Sequence, residues 1–241
     1  DTMRAVVEDF VKPWTAGSGN GHALKLNRRS PLRAAIMVSH AWDETYHEFF
    51  VALKNSSYTG PFWVCALAIY QNEDIEGVKI ADQLGPDALY GPFATVLRQA
   101  DCMVAIITAQ CDIYTRMWCV FEMAIAIDLQ LDVHVAQFTE AVLLGGDGYS
   151  RERGFGAEQK TSLPLFEWCK APVKSEAARC GNPALPTNDD EKSIREHIVA
   201  GKGYEAINLE VEKARLWSVL DLADAEGRTK SSNERERRKS L

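Results

Sequence analysis

The residue whose setting most strongly suggests chemistry is Glu122. Apolar residues recur at intervals of three and four over residues 118–131, which predicts a helix. Glu122 falls on the same face of this helix as Trp118, one turn earlier. The other members of that face are Cys119, Ile125, Ala126 and Leu129. Burying a carboxylate costs several kcal/mol unless it is paired or protonated. Glu122 is therefore either paired with Arg116 or nearby backbone, rotated to the rim, or kept for function.

Polar residues also follow the predicted strands. In an open α/β sheet, ligands bind beyond the carboxyl ends of the strands. This rule selects residues 39–44, 71–74 and 108–112, together with the start of the helix that carries Glu122. His40, Asp43 and His47 mix loop and helical spacing, which favours exposed histidines at a capped helix start, and no metal site is predicted.

Apolar runs and helical periods alternate along the chain. Continuous apolar runs predict buried parallel strands at residues 34–38, 62–70, 103–108 and 133–138. Helices are predicted at residues 46–53, 93–100 and 118–131, with Phe49 and Phe50 as a core pair. This alternation predicts an α/β fold with a short, mostly parallel sheet.

The flanking segments are less regular. A helix over residues 2–11 is expected to stop at Pro13, and residues 71–90 form a long polar loop. An edge segment is expected near Val173. Two helices close the domain, one starting near Asp189 and Asp190. The other places four residues on one face: Ile207, Val211, Ala214 and Trp217.

Charge and cysteine content narrow the function classes. The net charge is −7, although residues 228–241 hold six basic and two acidic side chains. An acidic body does not attract a phosphate backbone, so nucleic acid is not expected as a partner. No apolar stretch is long enough to span a bilayer. Six cysteines without a C-x-x-C pair predict reduced thiols, and hence the cytoplasm or another reducing intracellular compartment.

Three motifs in order resemble one family. The string VSHAWD at residues 38–43 resembles the first strand and loop of TIR (Toll/interleukin-1 receptor) domains, and WCVFEM at residues 118–123 resembles their W-C-x-x-E helix. Between them, GPF at residues 91–93 is similar to the start of the second helix. The resemblance covers about residues 32–138, and against TIR-like proteins of algae and other protists it extends to about residue 220.

The resemblance implies a flavodoxin-like three-layer α/β domain with a five-stranded parallel sheet. Residues 71–90 would be the BB loop of that family. The implied organisation is an N-terminal helix and loop at residues 1–30, a TIR-like domain with a C-terminal helical extension at residues 31–225, and a basic tail at residues 226–241.

The resemblance also implies two alternative functions. Some members cleave the nicotinamide–ribose bond of NAD with the glutamate that aligns with Glu122. NAD would then be a substrate, with no tightly bound cofactor, and five residues would line its site: Ser39, His40, Trp42, Asp43 and Trp118. Other members are non-catalytic modules that self-associate or bind another TIR-like or adaptor protein. A receiver-like phosphoacceptor domain is disfavoured, because the third strand ends at Thr108 instead of an aspartate.

Overall fold

The centre of the molecule is a parallel sheet of four strands. The computed structural model describes residues 1–56, 58–108, 111–137, 172–180 and 188–218. Its strands are β1 (Ile36–Ser39), β2 (Phe62–Val64), β3 (Cys102–Ile107) and β4 (Asp132–Gln137). They are hydrogen-bonded in the order β2-β1-β3-β4, and every pairing is parallel. The predicted α/β class is confirmed, with four strands in the described part where the resemblance implied five.

Helices supply the remaining regular structure of the described residues. They are α1 (Met3–Val6), α2 (Lys12–Thr15), α3 (His22–Leu26), α4 (Tyr46–Asn55), α5 (Cys65–Ala68), α6 (Ile80–Leu84), α7 (Pro92–Leu97), α8 (Met117–Leu129), α9 (Asp189–Ala200) and α10 (203–218). None of them combines the length and the apolar content that crossing a bilayer requires.

Side chains alternate between the two faces of the sheet, and each face has its own core. On β1, Ile36 and Val38 join a cluster that includes Phe49 of α4 and Met3 of α1. Met37 of β1 points the other way, into a cluster built with α7, α8, α9 and α10. Strands buried on both faces explain why their sequences are continuous apolar runs instead of alternating ones.

The N-terminal helix continues past Pro13, so the prediction that it stops there is wrong. Between α1 and α2 the backbone forms a π-helical turn, Val7–Val11, in which the Lys12 N–H donates to the Val7 carbonyl. Proline lacks an N–H and clashes with the preceding turn of an ordinary α-helix. The wider π turn lies directly before Pro13 and accommodates it at the start of α2.

The second strand is shorter than predicted. Strand β2 ends at Val64, and the rest of the apolar run 62–70 contains α5. A short apolar run does not distinguish a buried strand from a buried helix. Gly21 lies so close to α5 that an added Cβ would be 2.0 Å from the Ala68 carbonyl oxygen, so only glycine fits there.

The polar segment 71–90 is more ordered than a loop. It contains α6 and a 3₁₀ turn at Ala88–Tyr90. The Gln83 side chain accepts a hydrogen bond from the Tyr70 N–H at 3.0 Å and donates one to the Tyr70 carbonyl at 2.8 Å. This bidentate contact fastens α6 to the chain that follows α5.

Three expectations about the C-terminal part need correction. No strand forms near Val173 within the described residues 172–180; this segment has a 3₁₀ turn at Ser175–Ala177 and one parallel bridge between Arg116 and Arg179. The helix cap is the Asn188 side chain, which accepts the Glu191 N–H at 2.8 Å. On α10, Trp217 is 65% exposed while Ser218 is buried, because the buried stripe drifts by one position after Ala214.

Helix α4 buries only one of its two adjacent phenylalanines. Phe49 is fully buried, whereas Phe50 is 48% exposed, so the prediction that both are core is wrong. Consecutive helical residues point in different directions, and only Phe49 faces the sheet.

This difference makes a matched test of the core. Phe49→Ala is expected to lower the free energy of unfolding by about 3–5 kcal/mol, because it leaves a cavity under the sheet. Phe50→Ala should cost less than about 1 kcal/mol. Urea denaturation followed by circular dichroism measures both values. Equal losses for the two variants would contradict the burial described here.

Candidate functional site

Glu122 lies where the carboxyl ends of the strands meet the start of α8. The helix begins at Met117, and its first turn is fixed from outside. The Met117 N–H donates to the Arg179 carbonyl at 3.0 Å, and the Arg179 N–H donates to the Thr115 carbonyl at 3.0 Å. Helix α8 is buried along most of its length. Glu122 therefore has little freedom to rotate toward solvent.

The Glu122 carboxyl group is buried without an ion-pair partner among the described residues. The residue is 3% exposed, and its Oε2 atom has no hydrogen-bond partner in the described structure. Arg116, which the sequence offers as a partner, donates instead to Asp43 at 2.9 Å. Burial raises the pKa of Glu122 to about 7, although the Ser39 hydroxyl and His40 act in the opposite direction.

Two more buried polar atoms near Glu122 lack partners among the described residues. They are the Ser39 Oγ, at the end of β1, and the Tyr114 hydroxyl, just before α8. Ser39 is close enough to influence the pKa of Glu122, and the carboxyl group of Glu122 helps to raise the pKa of Tyr114, which burial raises most. We call Ser39, Tyr114 and Glu122 the carboxyl-edge cluster.

Such a cluster is costly for folding alone. Leaving a buried donor or acceptor unsatisfied costs about 1–3 kcal/mol for each group, and native proteins satisfy nearly all of them. The Thr108 Oγ1, just beyond β3, is a further buried atom with no partner in the described part of the chain. Unpaired polar groups gathered at the carboxyl edge of a parallel sheet are typical of a ligand site.

Glu191 shows how the same fold satisfies a buried glutamate. It is 2% exposed, but the Arg179 and Arg195 guanidinium groups contact it at 2.9 and 3.0 Å, and the Cys180 N–H donates to it at 3.0 Å. Burial alone would raise its pKa, yet these donors lower it below its usual value. The isolation of Glu122 is therefore a property of its location and not of buried glutamates in this chain.

Two predicted site residues, Trp42 and Asp43, lie at the rim. Asp43 accepts hydrogen bonds from Arg4 and Arg116, each at 2.9 Å, and its side chain is 55% exposed. The Arg4 guanidinium lies 5.7 Å from the centre of the Trp42 ring. Trp42 packs against the core that contains Phe49.

Trp118 is held on the other side of the sheet. Its ring stacks on Phe93, with centroids 4.9 Å apart and an interplanar angle of 30°. It packs against the core opposite the one that Trp42 contacts. The two tryptophans therefore do not form one wall of a shared site.

His40 is close to the cluster, but its ring is already occupied. Its charge influences the pKa of Glu122, while its two ring nitrogens contact Glu44 and Cys65. Sequence reasoning missed Tyr114, Glu44 and Cys65. A signal existed for Glu44, which is four residues after His40, but only strand pairing brings Cys65 near.

Comparisons with protein-family models, with curated proteins and with solved structures found no significant match. Among the described residues, no group of three His, Cys, Asp or Glu side chains has the arrangement of a metal site. The chemistry of the site is therefore argued from its own geometry.

The raised pKa of Glu122 predicts how stability depends on pH. The folded pKa of about 7 exceeds the ordinary value of 4.5, so the folded state prefers the protonated carboxyl group. Its contribution is fully present below pH 4.5 and is lost as the pH rises through 7, a change of about 3 kcal/mol. Glu122→Gln should equal the wild type at low pH and exceed it in free energy of unfolding at pH 8.

Urea unfolding at pH 4.5, 6 and 8 measures this difference. Glu191→Gln is the matched control, because it removes a paired carboxylate and should destabilise the protein at pH 8. A Glu122→Gln curve parallel to the wild type at all three pH values would show that Glu122 is not protonated by burial.

Proposed function

We propose that this chain is a TIR-like domain that cleaves the nicotinamide–ribose bond of NAD, with Glu122 as the catalytic carboxylate. The observation that carries the proposal is the buried Glu122 carboxyl group with an unpartnered oxygen at the carboxyl edge of the sheet. The motifs VSHAWD, GPF and WCVFEM support it, since all three resemble TIR motifs in the same order.

The strand order supports a flavodoxin-like arrangement. Flavodoxin-like sheets have the order 2-1-3-4-5, with ligands at the switch point between strands 1 and 3. The described sheet has the order β2-β1-β3-β4, and its switch point also lies between β1 and β3. Ser39 ends β1 at this point, and Thr108 follows β3.

The proposed reaction makes modest demands on the protein. Cleavage of the nicotinamide–ribose bond proceeds toward an oxocarbenium ion, which a nearby carboxylate stabilises. Nicotinamide leaves as a neutral group, so no second carboxylate is needed as an acid. In this proposal Glu122 faces the ribose, while the Ser39 and Tyr114 hydroxyls supply hydrogen bonds that the described structure leaves unused.

The described conformation is closed over Glu122, whose exposure is 3%. NAD therefore has to displace the residues that cover the carboxyl group before it binds. Closing over the substrate would exclude water and strengthen the interaction of Glu122 with the developing positive charge.

The direct test is nicotinamide release from NAD. The purified chain is incubated with millimolar NAD at several protein concentrations, and nicotinamide is measured by chromatography. Glu122→Gln should reduce release by at least about 100-fold, because it removes the charge that stabilises the transition state. Asp128→Asn is the control, since it changes a half-exposed carboxylate on the same helix away from the cluster. No release by the wild type at any protein concentration would overturn the proposal.

The pH dependence of the reaction gives a second check. The carboxylate form of Glu122 is the active form, and burial raises its pKa to about 7. The rate kcat/KM should therefore rise with pH, reach half its maximum near pH 7 and level off above it. A rate that is constant between pH 5.5 and 8.5 would exclude a role for the ionisation of Glu122.

A non-catalytic interaction module is the alternative, and one observation favours it. Phe10 and Trp14 lie on the N-terminal helical segment with exposures of 48% and 53%, and their ring centroids are 5.5 Å apart. An exposed aromatic pair suits self-association or binding of another TIR-like or adaptor protein. Sedimentation of the wild type and of Trp14→Ser, measured beside the NAD assay, separates the two functions.

A further inference from the structure

A cysteine, a histidine and a glutamate form a continuous chain of polar contacts beside the end of β1. The Cys65 Sγ lies 3.3 Å from the His40 Nε2, and the His40 Nδ1 lies 3.0 Å from the Glu44 Oε1. We call these three residues the thiol triad. It shares the carboxyl edge of the sheet with Glu122, but the proposed cleavage of NAD uses none of its three side chains.

Strand pairing builds the triad. Val38 of β1 is aligned with Val64 of β2, so the residues that follow the two strands meet at one level of the sheet. His40 comes from the first strand end and Cys65 from the second. Any protein that kept β1 and β2 in this register would keep the thiol and the imidazole together.

The imidazole and the carboxyl group are locked in place. Both side chains are fully buried. The His40 ring packs on Phe49 with centroids 5.1 Å apart, and the Glu44 carbonyl accepts the Met3 N–H at 2.9 Å. Cys65 is only partly buried. The sulfur is thus reachable from solvent while its proton acceptor is sealed inside the protein.

This order of groups is that of an activated nucleophile. With one proton on Nδ1, His40 donates to Glu44 and presents Nε2 as an acceptor to the thiol. Proton transfer from sulfur to Nε2 then produces a thiolate beside an imidazolium ion. Burial opposes a charged His40, but the contacts with Cys65 and Glu44 outweigh it and raise the pKa of His40 to about 10. Burial raises the pKa of Glu44, and the contact with His40 opposes that rise.

Two other cysteines provide an internal comparison. Cys111 and Cys180 are also partly buried, and carboxylates lie near each of them. Burial and these charges raise the pKa of Cys111 to about 11 and that of Cys180 to about 12. Cys102 and Cys119 are buried. Among the described cysteines, Cys65 is the one whose sulfur contacts an imidazole.

We propose that Cys65 is a nucleophilic thiol, activated by His40 and positioned through Glu44, that reacts with small hydroperoxides. A hydroperoxide suits a sulfur that is only partly exposed, because it presents a two-atom O–O group and needs no room for a bulky acyl or disulfide carrier. The proposal is independent of NAD cleavage, since neither nicotinamide release nor Glu122 enters its test.

The reaction is a two-electron transfer. The Cys65 sulfur attacks the terminal oxygen of the hydroperoxide, so that an S–O bond forms and the O–O bond breaks. The leaving alkoxide, or hydroxide in the case of hydrogen peroxide, takes the proton from the His40 imidazolium and departs as an alcohol or water. Sulfur is oxidised to the sulfenic acid, the peroxide is reduced, and His40 returns to its neutral form.

The first experiment compares cysteines within the wild-type chain. The protein is treated with limiting iodoacetamide at pH 7, and separately with hydrogen peroxide and dimedone, and each cysteine is quantified by mass spectrometry. Alkylation of Cys65 is expected to be at least about ten-fold faster than that of Cys111 and Cys180, and the dimedone adduct should form on Cys65. Equal alkylation rates for the three cysteines, or a dimedone adduct absent from Cys65, would overturn the proposal.

Variants then separate activation from structure. His40→Gln and Glu44→Gln should each lower the alkylation rate of Cys65 while the rates of Cys111 and Cys180 stay unchanged. A merely structural role would loosen the protein and raise all the rates together, which would count against positioning by Glu44. Cys111→Ser is the matched control and should leave the rate of Cys65 unchanged.

Discussion

The parallel pairing of β1 with both β2 and β3 is the constraint on which the rest of the structure depends. Because β1 lies between two parallel neighbours, its carboxyl end is surrounded by the segments that leave β2 and β3. This brings Ser39 to the carboxyl-edge cluster and His40 to the thiol triad. Two candidate sites of different chemistry thus arise from one strand end, and the loop 40–45 serves both.

The two buried glutamates of the described chain illustrate how stability and function diverge. Glu191 is surrounded by guanidinium groups and a backbone donor, and it ties α9 to the segment before it. Glu122 has no such partners among the described residues and is held in an unfavourable state by the packing of α8. A carboxyl group kept in this way is poised to gain much more from a ligand than one whose hydrogen bonds are already made.

Sequence patterns predicted the sheet, the helices that cover it and the burial of Glu122, because each depends on local periodicity or on continuous apolar runs. They failed at Pro13, at Phe50 and beyond Val64. In these places the outcome depended on a π turn, on the direction of one side chain and on the packing of Gly21 against α5. The thiol triad was beyond sequence reasoning, because the distance between residues 40 and 65 is set by strand register and not by spacing in the chain.

The N-terminal helix is attached to the loop that both candidate sites share. The Met3 and Arg4 N–H groups donate to the Glu44 and Trp42 carbonyls, each at 2.9 Å, and the Arg4 side chain holds Asp43. These links turn the helical segment 3–15 into a lever. A protein that grips its outer end would pull on the backbone beside His40, so recruitment at a distance could be transmitted mechanically to the carboxyl edge of the sheet.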